Sequence, residues 1–130
     1  MKFSIEAKTN DPVMQFVMCL LHSVTNGHIL HLTTTSYAQH KALEIYYTGI
    51  GDLVDGFVEA FQGKYGLLTK FTANYEIPPS NALDYMSYLN TEVATLRKAD
   101  GFPKDTELQN ITDEIAALID STTYQLRFLK

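Results

Sequence analysis

The chain holds a single cysteine, Cys19. One thiol excludes an internal disulfide and fits a reducing compartment. Its neighbours are apolar, which predicts a buried side chain rather than a reactive one. No apolar run reaches the roughly 20 residues needed to span a bilayer. The most apolar run, VMQFVMCLLHSV, is interrupted by Gln15 and His22 and has neither a basic flank nor a small-residue cleavage site. Neither a membrane segment nor a signal peptide is expected. Basic residues are few, ten against fifteen acids, and nowhere denser than Arg97-Lys98. At a net charge of −5, a surface built to grip nucleic acid is not expected. An acidic surplus suits a protein that handles cations, though more often it serves solubility. Low-complexity segments, internal repeats and linkers are missing too, so residues 1–130 read as one domain with a short arm over 1–10.

What is present is helical. Asp11-Pro12 is a helix start, an N-cap acceptor followed by proline at the first helical position. Val13, Val17, Leu20, Val24 and His31 share one face, so a first helix is predicted over about 12–32. Thr33-Thr34-Thr35 ends it. Ser36 and Gln39 form a capping box that opens a second helix. Its apolar period runs through Leu43, Tyr47, Ile50, Val54, Phe57 and Phe61 to a stop at Gly63. Gly49, Gly51 and Gly56 inside it mark either local looseness or close approach of a neighbour. KYGLLTKFTANYEIPP has no sustained period and is long enough to cross a bundle, with room for a short helix inside. A third helix carries Leu83, Met86, Leu89, Val93 and Leu96 inward. Gly101-Phe102-Pro103 breaks the chain and Asp105 caps a fourth, with Leu108, Ile111, Ile115, Leu118, Thr122 and Leu126 as its stripe. Two helical hairpins joined by one long crossover make an all-α, ferritin-like four-helix bundle.

Such bundles invite a di-iron reading. The common intrachain version needs a Glu-x-x-His pair on each of two helices. No Glu-x-x-His occurs here, and the third and fourth helices hold no histidine. A different set remains. His31 and His40 fall at the same end of the first hairpin, while Asp55 and Glu59 lie 15 and 19 residues beyond His40. At about 1.5 Å per residue that is roughly 22–28 Å, too far for one ion. If the second helix packs antiparallel against its copy, the histidine end of one chain meets the acid end of the other, and a two-fold axis makes two equivalent sites.

The pattern His…His-x₁₄-Asp-x₃-Glu, together with Tyr124-Gln125-Leu126-Arg127 near the end of the last helix, resembles the Dps branch of the ferritin-like superfamily, the DNA-protecting miniferritins. It is also similar to small miniferritin-like proteins of tailed phages. The resemblance implies an inter-subunit ferroxidase centre in which His31, His40, Asp55 and Glu59 hold iron, with zinc or manganese as alternatives, and peroxide or O₂ as oxidant. It further implies a homo-oligomer, at least a dimer and at most the family's dodecamer, in the cytoplasm (the host's, for a phage-encoded chain). The family's Trp after the first ligand is Leu32 here, and the connection to His40 is about three residues shorter. His28 stands one turn earlier as a substitute ligand. The lysine-rich DNA-binding tail is absent, with only Lys2 and Lys8 in the arm, so DNA protection by that route is not expected. Among the remaining residues, His22 and His28 read as packing or solvent residues. Glu44 reads first as a solvated acid, with an extra ligand or a partner for His40 as the alternatives, and Tyr46, Tyr47 and Tyr85 as amphipathic interface residues. The competing expectation is a bundle that keeps the fold in a structural or interaction role without the chemistry.

Overall fold

The computed structural model describes residues 11–72 and 75–130. Those residues are all-helical, with no strand among them. Helix α1 spans Pro12–Thr33, α2 Tyr37–Tyr65, α3 Ala82–Leu96 and α4 Thr106–Phe128. The arm over 1–10 lies outside the described residues.

Short acceptors set the helix starts. Asp11 accepts from Val13 N at 2.9 Å, Ser36 from Gln39 N at 3.2 Å and Asn81 from Asp84 N at 3.0 Å. The box at Ser36 closes through a relay. Ser36 N–H donates to Thr34 Oγ1 at 3.1 Å, and Thr34 donates onward to Gln39 Oε1 at 3.0 Å. Asp105 holds the cap position of α4 but makes no capping bond. Its carboxylate is taken by Lys64 at 2.7 Å and by the Tyr65 hydroxyl, which tie the end of α2 to the start of α4. The expected stop at Gly63 is two residues early. Helix α2 runs to Tyr65 and ends at Gly66, whose φ of 100° suits glycine.

Helix α1 packs on α2 and α3, α4 packs on the same two, and the diagonal pairs show no close backbone approach. Phe16 of α1, Phe57 of α2 and Phe102 of the α3–α4 turn cluster with ring centroids 4.9–5.7 Å apart. The start of α1, the end of α2 and the end of α3 therefore share one end of the bundle. At the other end, Asn26 Nδ2 in the second half of α1 donates to Tyr85 Oη in the first turn of α3 at 3.0 Å. The connection between α2 and α3 thus crosses the bundle from end to end, as expected, with no helix among its described residues. Helix α1 is the one helix described that is long and apolar enough to span a bilayer, and half of that apolar window is buried inside the protein.

The inner face of α2 is Leu43, Tyr46, Ile50, Val54 and Phe57, so Tyr46 rather than Tyr47 points into the core. Ser23 Oγ donates to Leu20 O at 2.7 Å, which makes Tyr46 Oη, also 2.7 Å away, the donor to Ser23. Burial pushes the Tyr46 phenol up, against the lowering effect of the Ser23 bond. Tyr46 and Tyr85 are 0% and 4% exposed, so these two are core residues and not the amphipathic interface residues expected.

The glycines of α2 divide. A Cβ on Gly49 would sit 3.2 Å from Leu118 Cδ2, so α2 and α4 approach closely there. On Gly51 it would meet only Val24, at 3.9 Å, and on Gly56 or Gly63 nothing within 4 Å. Gly63→Ala is accordingly expected to stabilise the chain by about 0.5–1 kcal/mol in urea titration. Gly49→Ala should gain less, because Leu118 must shift. A Gly63→Ala chain less stable than the parent would mean that the last turns of α2 are not helical in solution.

Candidate functional site

The α1–α2 turn brings two imidazoles face to face. The rings of His31 and His40 stack with centroids 3.6 Å apart and planes 19° from parallel. His31 Nδ1 lies 2.7 Å from His40 O, and His40 Nδ1 lies 2.8 Å from His31 O. A carbonyl oxygen only accepts, so both Nδ1 atoms carry hydrogens, and in the neutral ring each Nε2 keeps its lone pair. Metal-binding histidines are commonly fixed this way, with the far nitrogen donating to a carbonyl or carboxylate. Glu44 does not orient His40; it is the solvent-facing acid expected first, paired with Lys41 at 3.3 Å. The orienting groups are main-chain oxygens.

Two neighbours cover His31. His28 stacks on Tyr47 with centroids 4.4 Å apart, and Tyr47 meets His31 edge-on at 5.3 Å. His31 is left 7% exposed, while His40 is half-buried. The sequence signal for this cover was the three-residue step from His28 to His31, which puts both on one face of α1.

Asp55 and Glu59 are exposed, and neither makes a hydrogen bond or ion pair with another described residue. Helix α2 is unbroken from His40 to Glu59, so the acids stand roughly 22–28 Å up the helix from His40. One chain therefore joins the two histidines and holds the two acids apart from them. Among the described residues, no group of three or more His, Cys, Asp or Glu side chains converges. Asp52, not singled out in the sequence, is also exposed one turn before Asp55. The outer face of α2 runs Tyr37, Lys41, Ile45, Thr48, Asp52, Asp55, Glu59, all exposed. It is apolar and basic beside the imidazoles and acidic towards the other end. Leu32, Tyr37 and Ile45 around the histidine end are 68%, 75% and 53% exposed.

Cys19 and His22 lie elsewhere, on the face of α1 turned to the crossover. Cys19 is half-buried against the core rather than fully within it as expected; burial, reinforced by the charge of Glu92, pushes its thiol up to about 12, which disfavours the reactive thiolate. His22 meets Tyr75 edge-on at 5.1 Å, and burial lowers its pKa.

The chain is 32% identical over 85 residues to an uncharacterised 14.6 kDa protein of the mobD-ri intergenic region of Enterobacteria phage T4. That match covers 64% of this chain and 63% of the relative's length. No solved structure matches. Residues 31–126, from the first histidine of the stacked pair to the inward-facing Leu126 of α4, match the model of DUF5856, described as a family of unknown function, and the chain belongs to that family.

Proposed function

We propose that the protein is a miniferritin-like, iron-oxidising bundle whose working unit is at least a dimer. Two copies pair along α2 in antiparallel fashion, and His31 and His40 of one face Asp55 and Glu59 of the other. The order of the four helices, with a crossover as long as the bundle, supports the ferritin-like reading of the fold. The observation that carries the function is the imidazole pair, with both Nδ1 hydrogens taken by main-chain oxygens and both Nε2 atoms left to bind. The outer face of α2 supports the pairing, because the unpaired Asp52, Asp55 and Glu59 stand towards one end and the imidazoles at the other, where Lys41 is already paired with Glu44.

Fe²⁺ is the substrate in this reading. Two carboxylates offset its charge and two imidazoles supply nitrogen donors, a set that also accepts Zn²⁺ or Mn²⁺. Two Fe²⁺ ions give one electron each to a peroxide, which takes up two protons and leaves as two waters. O₂ is the alternative oxidant. The phage relative supports a phage origin and hence the host cytoplasm as the place of action.

A second reading has its own observation. His31 is nearly buried, and each ring already satisfies the other's carbonyl. The pair is then a clasp that fixes the α1–α2 turn of a non-enzymatic interaction bundle. Solution mass measured with anaerobic Fe²⁺ titration separates the two. The iron reading expects a dimer or larger assembly that binds at least one Fe²⁺ per chain, with binding lost on dilution to monomers. A chain that stays monomeric, or that dimerises and takes up no iron, leaves the clasp.

A further inference from the structure

A cleft that neither His31 nor His40 lines lies between α1, α3 and the crossover. Its volume is about 540 Å³, within the range that holds a small ligand. One wall is aromatic. Tyr85 and Tyr88, one turn apart on α3, stack with centroids 6.1 Å apart and planes 17° from parallel. Tyr85 is locked in place: Tyr75 Oη donates to Asn26 Oδ1 at 2.6 Å, and Asn26 Nδ2 donates to Tyr85 Oη at 3.0 Å. Asn26, the hub of that chain, is only 5% exposed. Tyr88, by contrast, is 51% exposed. Met14 and Met18 of α1 and Pro78 of the crossover supply apolar surface.

The charge in the cleft has one sign. Glu76 from the crossover and Glu92 from α3 line it, and no lysine or arginine is among the described lining residues. Both acids act on Tyr88, whose phenol is pushed up first by burial and then by neighbouring charge, Glu92 and Glu76 included. An anion is repelled by this surface, and a neutral guest leaves both carboxylates uncompensated. A cation with an apolar body matches every wall: carboxylates for its charge, a tyrosine face for cation–π contact, thioethers and proline for its chain.

We propose that this cleft is a binding site for a small organic cation of the alkylammonium class, its head between Glu76 and Glu92 against the Tyr88 ring and its chain along Met14, Met18 and Pro78. The site is independent of α2 pairing and of iron.

Hexylammonium, hexanol and hexanoate are the probes, titrated into the full chain and followed by amide NMR shifts. Hexylammonium is expected to give saturable shifts at Cys19, His22, Glu76 and Tyr88, at least about tenfold tighter than hexanol, with none from hexanoate. Glu76→Gln and Glu92→Gln keep side-chain shape and should each weaken hexylammonium several-fold towards the hexanol level. Tyr88→Phe should bind like the parent and Tyr88→Ala should not. Glu59→Gln, which does not line the cleft, should leave this titration unchanged. Equal binding of hexylammonium and hexanol overturns the proposal, as does indifference to both glutamine variants or the absence of saturable shifts.

Discussion

Glu59→Gln is expected to slow iron oxidation by about a hundredfold while leaving the thermal midpoint where it was. Glu59 is exposed and bonded to no other described residue, so its amide should change stability by no more than about 0.5 kcal/mol. His40→Ala should differ in kind. It deletes a ring stacked at 3.6 Å and the hydrogen bond to His31 O, so it lowers both activity and stability, the latter by about 1–3 kcal/mol. A clasp without chemistry predicts the stability loss for His40→Ala and no effect for Glu59→Gln. Mixing the two variants gives a sharper reading. In a two-fold dimer built from one chain of each kind, one site carries both lesions and the other carries neither. After subunit exchange, random pairing should restore about a quarter of the parental rate from two nearly inactive preparations. Failure of the mixture to recover, with exchange shown by mass, removes the composite site.

Phe57→Ala is expected to have the largest effect on stability, about 3–5 kcal/mol in urea titration monitored by circular dichroism. Phe57 is fully buried between Phe16 and Phe102, with Phe61 stacked beyond it. Those rings come from α1, α2 and the α3–α4 turn, so the void left by truncation faces three separate segments that cannot all relax into it. Against the roughly 5–15 kcal/mol of a typical domain, this is a large share. Phe61→Ala, on a half-buried ring, should cost clearly less. A loss below about 1.5 kcal/mol for Phe57→Ala would mean that this end of the bundle is loosely packed.

The helices themselves were legible, because three-to-four periods and short capping acceptors mark them locally. Which of two adjacent residues turned inward was not. From Leu43, both Tyr46 and Tyr47 continue a helical period, and α2 packs on α1 and α4 at once, so its inner face is wide. The choice falls to Tyr46 because Ser23, on another helix, accepts its hydroxyl hydrogen. Asp105 failed as a capping residue for a similar reason: Lys64 and Tyr65 take its carboxylate. That His31 and His40 share one end of a hairpin could be read from the turn between them. Their exchange of main-chain oxygens depends on ring orientation, which no spacing encodes. The cleft beside Tyr88 was hidden altogether, since it needs the landing place of Glu76 in a segment without periodicity.

The crossover has a practical corollary for anyone attaching a probe. The chain enters α1 where Pro12 rests against Gly101, among the phenylalanines. Helix α4 sets out from that same end and climbs past Gly49 for 23 residues, about 35 Å. A fluorophore or affinity tag fused behind Lys130 thus emerges on the imidazole side, where it would crowd the face through which the proposed dimer forms. Asp11, where the described chain begins, lies a full bundle away from it.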